Sequence, residues 1–318
     1  MTMKILVIGA GAVGSVFGGL LAESGQDVSF IGRKSYMDAI RQNGLKISGI
    51  WGEHLINNIN VFTSVKETGE TKFDLIFLTT KSFDTESAVK DLMPLVGQKT
   101  LIVALQNGLG NIETITRIAG KEHTVGARVI FGVEFVAPGH FKVTVIADKV
   151  LLGTITKEIP QNRITEIAQM ITKAGIPTDT TDEIEKFVWN KVLYNCCLNA
   201  LSALLDTCYG KLGDFSPTRE IMRAVISEVL AVAKSRGIDT GFPDAAAYEK
   251  VFYEKLLPPT YAHHASTLQD LKSSKRTEIE ALNGAIVRLG QEKGVPAPVN
   301  WTLTQLIHAR EEFNKNPE

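Results

Sequence analysis

The stretch Lys4-Ile-Leu-Val-Ile-Gly9-Ala-Gly11-Ala-Val-Gly14 decides the fold. Its first half, Lys4–Gly9, is a continuous apolar run, the pattern of a parallel strand buried on both faces. Glycines follow at the spacing G-x-G-x-x-G, and a helix is expected over Val13–Ser24. Such a fingerprint is weak alone; between a buried strand and a helix it acquires meaning. The first glycine permits the tight turn, the second lets backbone approach a pyrophosphate, and the third lets helix pack close to strand. Free amides and the positive helix end then meet the phosphates. The segment Gly9, Ala10, Gly11, Ala12, Val13 and Gly14 is therefore the candidate dinucleotide cradle. The plainer alternative is a glycine-rich turn with no ligand. Ile5–Ala22 could also be mistaken for a membrane or signal element, since about 18 apolar residues nearly span a bilayer. Five of these residues are glycines at spaced positions, and no cleavage-site pattern follows. A cytoplasmic protein with no membrane partner is expected.

Working outward, strands alternate with helices. Strands are expected at Asp27–Gly32, Phe73–Thr80 and Thr100–Gly108, and helices near Tyr36–Asn43, Asp84–Leu95 and Ile112–Ile118. This alternation implies βαβ units and a doubly wound parallel sheet. Leu45–Gly49 and Ile59–Ser64 look like short strands in a less regular insertion. From Thr124 to Thr156 strands follow one another without helices, which is read as an antiparallel extension at the sheet edge. From Thr181 onward the period is near 3.6. Helices are expected at Asp182–Ala203, Thr218–Arg236, His263–Lys272 and Thr277–Lys293, with stops at Gly210, Gly237, Pro258–Pro259 and Gly294–Pro296. The fold class is thus α/β, a Rossmann-type domain (1–178) followed by an all-α domain (179–318).

Composition narrows the function classes. Of the 318 residues, 44% are hydrophobic and 22% charged, which excludes a disordered chain. The net charge of −1 offers no footprint for nucleic acid. The three cysteines, Cys196, Cys197 and Cys208, form neither a disulfide framework nor a zinc pattern, so no metal is expected. They read as buried free thiols in a reducing compartment.

The second strand chooses the cofactor. An NAD site usually ends this strand with an acid on the ribose 2′-hydroxyl. Here it ends Phe30-Ile-Gly-Arg33-Lys34, and two cations suit a 2′-phosphate, which Arg grips in bidentate fashion. NADP(H) is expected; a solvated basic turn is the alternative. Lys81 and Asn107 stand at the carboxyl ends of two further strands, where open α/β sheets bind ligands. A surface lysine and a turn-forming Asn-Gly are equally ordinary explanations.

In the helical half, Lys191, Asn195 and Asn199 fall at i, i+4 and i+8 on one side of a helix whose neighbouring residues are apolar. Polar groups embedded there are costly unless satisfied or used, although an amphipathic helix with a polar stripe explains the same spacing. Ser266 and Asp270 are helix neighbours at i, i+4. Thr277-x-x-Glu280 resembles a capping box, which leaves Glu278 for another role. The adjacent His263 and His264 point about 100° apart and are poor co-ligands, so structural or substrate-edge roles suit them.

In order along the chain, KILVIGAGAVGSVFGGLLAESGQDVSFIGR, TTKSFD, LQNGLGN, WNKVLYNCCLNALSAL and KRTEIEALNGAIV together resemble ketopantoate reductase (2-dehydropantoate 2-reductase). The resemblance covers nearly the whole chain and implies NADPH-dependent reduction of ketopantoate to pantoate, on the route to pantothenate and coenzyme A. It also implies a second domain similar to the C-terminal domain of 6-phosphogluconate dehydrogenase. Gly9, Gly11 and Gly14 match the dinucleotide loop and Arg33 the residue at the 2′-phosphate. Lys81 and Asn107 match positions between cofactor and substrate. Lys191 matches the catalytic lysine, and Asn195 and Asn199 match substrate-contacting amides. Ser266 matches a hydroxyl on the substrate carboxylate, and Glu278 the family's active-site acid, expected as a catalytic and cofactor-binding residue. One position departs from the pattern: His263 stands where the family carries an Asn. The implied mechanism delivers hydride to the C2 carbonyl, with the Lys191 ammonium stabilising the oxygen and supplying the proton. The implied partner is a small-molecule 2-oxo acid, and a homodimer is carried as an expectation. Three alternatives stay open: a reductase of another 2-oxo acid, a non-catalytic NADP-binding sensor, and a 3-hydroxyacid dehydrogenase using NAD.

Overall fold

A computed structural model describes residues 2–316. The chain divides into two units, one running to Gln106 and resuming over Asn111–Ile184, the other made of Asn107–Gly110 and the residues from Glu185 onward.

The first unit begins with β1 (Lys4–Ile8), α1 (Ala12–Glu23), β2 (Asp27–Ile31), α2 (Lys34–Asn43), β3 (Leu45–Gly49), β4 (His54–Ile56) and β5 (Asn60–Phe62). It continues with β6 (Phe73–Leu78), α3 (Thr85–Leu92), β7 (Val96–Ala104), α4 (Asn111–Ala119), β8 (Thr124–Arg128), β9 (Phe131–Ala137), β10 (His140–Ile146), β11 (Val150–Gly153), α5 (Gln161–Lys173) and β12 (Thr178–Thr180). The main sheet runs β12-β11-β8-β7-β6-β1-β2-β5. The core strands β5-β2-β1-β6-β7-β8 are all parallel, and β11 is antiparallel to β8. Their unbroken apolar runs follow from burial on both faces. Ile5 and Val7 enter one core, with α1 and α5, while Leu6 and Ile8 enter the other, with α3 and α4. Strand order reverses between β1 and β6, which makes the loops after these two strands the switch point where such sheets take ligands.

The strands expected at one sheet edge separate. β11 extends the main sheet, but β9 and β10 leave it and join β3 and β4 in a second sheet, ordered β4-β3-β10-β9. β10 pairs in parallel with β3, about one-third of the chain earlier (Phe141 opposite Ile47). Helix α1 lies between the two sheets, and its paired glycines allow this. A Cβ on Gly18 would stand 2.3 Å from the Phe30 ring of the main sheet, and one on Gly19 would stand 2.8 Å from Ile47 and Leu45 of the second. Helix α5 and strands β4 and β12 were not expected. Yet α5 carries buried Ile164, Ile167, Ala168 and Ile171 at i, i+3, i+4 and i+7, so its periodic signal was present.

The second unit holds α6 (Ile184–Leu205, whose first residue groups with the first unit), α7 (Tyr209–Asp214), α8 (Ser216–Ser235), α9 (Ala245–Val251), α10 (Ser266–Lys272), α11 (Asn283–Gln291) and α12 (Pro298–Lys315). Helix α6 is apolar on most sides. Trp189, Val192, Leu193, Cys196, Cys197, Leu198, Ala200 and Leu201 are all buried, as expected of a central helix. Burying each larger apolar side chain stabilises the unit by about 1.5–3 kcal/mol. The expected helix Thr277–Lys293 is broken. Leu282, at φ −109° and ψ −107°, ends a 3-10 turn over Ile279–Ala281 before α11 begins. Among the described residues no helix is long and apolar enough to cross a membrane.

Candidate active site

The cradle is built from backbone. Gly9 sits at φ +102°, where a side chain is strained, and a Cβ there would lie 2.9 Å from the Thr80 nitrogen. Its own N–H donates to the Ile31 carbonyl at 2.9 Å, tying the turn to the end of β2. Gly14 is closer still, with a Cβ placed 2.3 Å from the Gly9 oxygen and 2.4 Å from Thr79 Oγ1. Gly11, the residue before α1, faces open space. No side chain caps α1 and no acid stands in its first turn, so the first amides, at Ala12 and Val13, keep their donors for an anion. Each glycine thus meets the physical demand that the fingerprint implies, and the segment fits a dinucleotide. Thr79 is a contributor the sequence did not single out: its hydroxyl lies 2.5 Å from the Gly9 oxygen and closes the turn from β6.

The end of β2 lies against this turn, since a Cβ on Gly32 would be 3.1 Å from that of Ala10. Arg33 is exposed and precedes α2, whose Tyr36 and Met37 amides donate to the Arg33 carbonyl. Its guanidinium carbon stands 4.7 Å over the Tyr36 ring. Lys34 instead bonds Asp38 at 2.5 Å. Of the two expected cations, Lys34 is therefore tied along its own helix.

Lys81 is partly buried and opens a short 3-10 turn, Ser82–Asp84, after β6. Beside it, a hydroxyl and amide network binds the strand ends. Gln106 donates to Thr85 Oγ1 at 2.7 Å and lies 3.2 Å from Thr80 Oγ1, while Thr85 donates to Asn111 Oδ1 at 2.8 Å. Gln106 and Asn111 flank the loop Asn107–Gly110, so Thr85 bonds both flanking residues. Only a three-dimensional view reveals this role for Thr85.

In the second unit, that four-residue loop is seated on the 3-10 turn that Glu278 begins. The Leu109 amide donates to the Ala281 carbonyl at 2.8 Å, and a Cβ on Gly108 (φ +88°) would fall 2.5 Å from Ala281. The loop thereby presents Asn107, whose Oδ1 accepts from Lys191 Nζ at 2.5 Å. A carboxamide oxygen is a neutral acceptor, and this bond takes one N–H of the lysine. Glu278 is only 8% exposed. Lys191 and Glu278 therefore border the same loop, one through Asn107 and the other through Ala281.

Asn195 lies one turn beyond Lys191, half-buried, with no side-chain hydrogen bond among the described residues. Asn199 is 4% exposed, and its Oδ1 accepts from the Tyr209 hydroxyl at 2.5 Å. The His263 ring meets the Tyr209 ring edge-on at 5.2 Å. The histidine is thus linked through Tyr209 to Asn199, a connection that sequence spacing does not contain. Ser266 is exposed and opens α10, and the amide before it donates to Ser202 of α6. Burial pushes Tyr194 up to about 12 and Tyr209 higher, so neither phenol exchanges protons near neutral pH.

The capping box does not form. Thr277 Oγ1 accepts from the Ile279 amide, but the Thr277 amide is taken by Glu311, and Glu280 turns to His308 at 2.7 Å. Asn283, from the same motif, is fully buried and donates to Cys196 O and Asn300 Oδ1, pinning α11 to α6 and α12.

Comparison with known proteins places this geometry in a family. Residues 5–157 match the family described as "Ketopantoate reductase PanE/ApbA", and residues 183–311 match "Ketopantoate reductase PanE/ApbA C terminal". The 2-dehydropantoate 2-reductase of Aquifex aeolicus is 40% identical over 99% of both chains. The crystal structure of a ketopantoate reductase from Ralstonia eutropha superposes with a TM-score of 0.87 at 30% identity, covering 99% of this chain and 100% of the other. D-mandelate dehydrogenase, solved with NADH and anilino(oxo)acetate, gives 0.89 at 28% identity, covering 98% and 99%. With both halves of the chain matched, the protein belongs to the ketopantoate reductase family.

Proposed function

We propose that this chain reduces 2-dehydropantoate to pantoate with NADPH. The observation that carries the reading is Lys191, an ammonium on an apolar helix, held by the neutral oxygen of Asn107. Reduction of a 2-oxo acid builds negative charge on the carbonyl oxygen, and the reaction needs one proton there. The reduced nicotinamide, when bound, supplies the hydride. Lys191 stabilises the oxygen by charge and hydrogen bond and donates the proton. Asn107 fixes the direction of the lysine, so little reorganisation remains at the moment of reaction. Glu278 accepts from the new hydroxyl or from the lysine network. Ser266, with Asn195 and Asn199, holds the substrate, and the Ser266 hydroxyl takes its carboxylate. Lys81 serves between cofactor and substrate. The cradle at Gly9–Gly14 takes the pyrophosphate, and Arg33 takes the 2′-phosphate. The pyrophosphate and 2′-phosphate contacts thus fall to the first unit and proton transfer to the second.

A second reading, reduction of another 2-oxo acid, draws on the likeness to D-mandelate dehydrogenase and on His263. Initial rates with ketopantoate, pyruvate and phenylglyoxylate, each with NADPH and NADH, separate the two. Highest kcat/KM for ketopantoate with NADPH is the expected result. A higher value for an aromatic 2-oxo acid, or for NADH, moves the assignment to the second reading.

A further inference from the structure

We propose that Tyr36 is the positioning residue for NADPH selectivity, a platform that holds Arg33 by its face and leaves its edge for the adenosine 2′-phosphate. The inference rests on the assignment of Arg33 to that phosphate. It begins with how α2 distributes its charges. Asp38 is the first carboxylate along the chain after β2, and Lys34 (2.5 Å) and Arg41 (2.9 Å) both occupy it. Arg33 has no carboxylate partner among the described residues, and its one recorded side-chain contact is the Tyr36 ring, 4.7 Å away. The two ways of holding a guanidinium differ in what they consume. A carboxylate takes the in-plane N–H donors, the same donors a phosphate needs. An aromatic ring meets the flat face of the cation, and all five donors stay free at the rim.

The platform is itself held. The Tyr36 ring lies 5.7 Å from that of Phe135 on β9 and 6.4 Å from that of Phe141 on β10, and those two rings meet edge-on at 6.0 Å. Phe141 is buried. The second sheet therefore backs the arginine through a chain of three rings. Position suits the role as well, because Gly32 lies against Ala10 of the cradle and Arg33 is the next residue. A long exposed arginine ordinarily loses rotamer freedom when it grips a ligand. Arg33 has surrendered part of that freedom in advance to Tyr36, so the 2′-phosphate meets a pre-aimed fork.

The test measures binding apart from turnover. Calorimetric titration with adenosine 2′,5′-bisphosphate, and with adenosine 5′-monophosphate as the probe lacking the 2′-phosphate, is made on wild type, Tyr36→Leu, Tyr36→Phe and Arg33→Ala. Tyr36→Leu should weaken the bisphosphate about three- to tenfold, the range of a cation–π contact. It should shift the monophosphate far less, and Tyr36→Phe should restore the wild-type ratio. Steady-state kinetics should show a matching rise in the KM for NADPH, with kcat unchanged. Equal weakening of both probes in Tyr36→Leu, or no weakening, overturns the proposal, as does failure of Tyr36→Phe to restore the ratio. Arg33→Ala separates the two levels. If it lowers the ratio while Tyr36→Leu does not, only the platform falls. If Arg33→Ala leaves the ratio unchanged, the 2′-phosphate assignment falls and the platform with it.

Discussion

The cradle after β1 and the helix α6 offer different parts of the chain. At the cradle the proposed ligand-binding groups are amides, and the sequence encodes them as missing side chains. Gly9 frees a positive φ, Gly14 frees a contact with the Gly9 oxygen, and Gly11 leaves open space. Along α6 the candidate groups are side chains set into an apolar helix, where each is also a potential structural element. Asn199 shows this directly, since its Oδ1 is already engaged by Tyr209. A backbone-built site is therefore specified by what must be absent, and few other residues substitute. A side-chain-built site is specified by what must be present and by what holds it, and the holders lie far away in sequence.

Substitutions within the cradle sharpen this contrast most. Gly14→Ala forces a methyl into the Gly9 carbonyl, so the turn itself must move. Cofactor affinity should fall by about a hundredfold, and stability by about 1–3 kcal/mol. Gly11→Ala meets nothing, and the backbone there (φ −80°, ψ −169°) suits any residue. It should leave the melting temperature unchanged while weakening NADPH by about tenfold, because the methyl would stand in the path proposed for a phosphate. Titration and thermal melts of the two variants, taken together, check both. An equal loss of stability in both would mean that the turn is merely structural.

In the helical unit the corresponding contrast is between Glu278 and Asn283, five residues apart. Asn283→Leu removes donors from Cys196 O and Asn300 Oδ1 and should cost about 1–3 kcal/mol in urea unfolding, with KM values nearly unchanged. Glu278→Ala should lower kcat with a modest effect on cofactor affinity. If Glu278→Ala leaves kcat unaltered, the carboxylate leaves the mechanism.

The smallest effect expected is at the second sheet. Burial of the His54 ring opposes its protonation, but the Trp51 carbonyl and the Glu23 carboxylate outweigh burial and raise its pKa above the ordinary 6.5. A raised folded-state value adds stability below the unfolded pKa, and that stability is lost as pH rises through the folded value. The gap between wild type and His54→Gln in unfolding free energy, from urea titrations, should therefore narrow from about pH 6 to about pH 8, by less than about 1 kcal/mol. A gap constant with pH would remove the titration of His54 from the account.

The same contrast explains what could be read from the sequence. The main sheet is readable because residues 5–8 and 75–78 are apolar on both faces, a pattern set by local burial alone. The second sheet was not, because the parallel pairing of β10 with β3 joins residues some ninety positions apart and neither strand signals its partner. Lys191, Asn107 and Glu278 were individually named, but the contact between Lys191 and Asn107 spans 84 positions and lies beyond any helical spacing. Tyr36, Thr79, Thr85 and Tyr209 act by holding other groups. Residues of these types in these local patterns occur throughout ordinary folds, so only the folded arrangement distinguishes them.

Cofactor binding is proposed for the cradle and proton transfer for Lys191, and these two roles are separable. Their separation is tested most directly by measuring NADPH affinity and ketopantoate turnover on the same preparation of Lys191→Ala. The account predicts affinity within about twofold of wild type and kcat reduced by about two to four orders of magnitude. Turnover at the wild-type rate, or loss of NADPH binding in step with turnover, would contradict it.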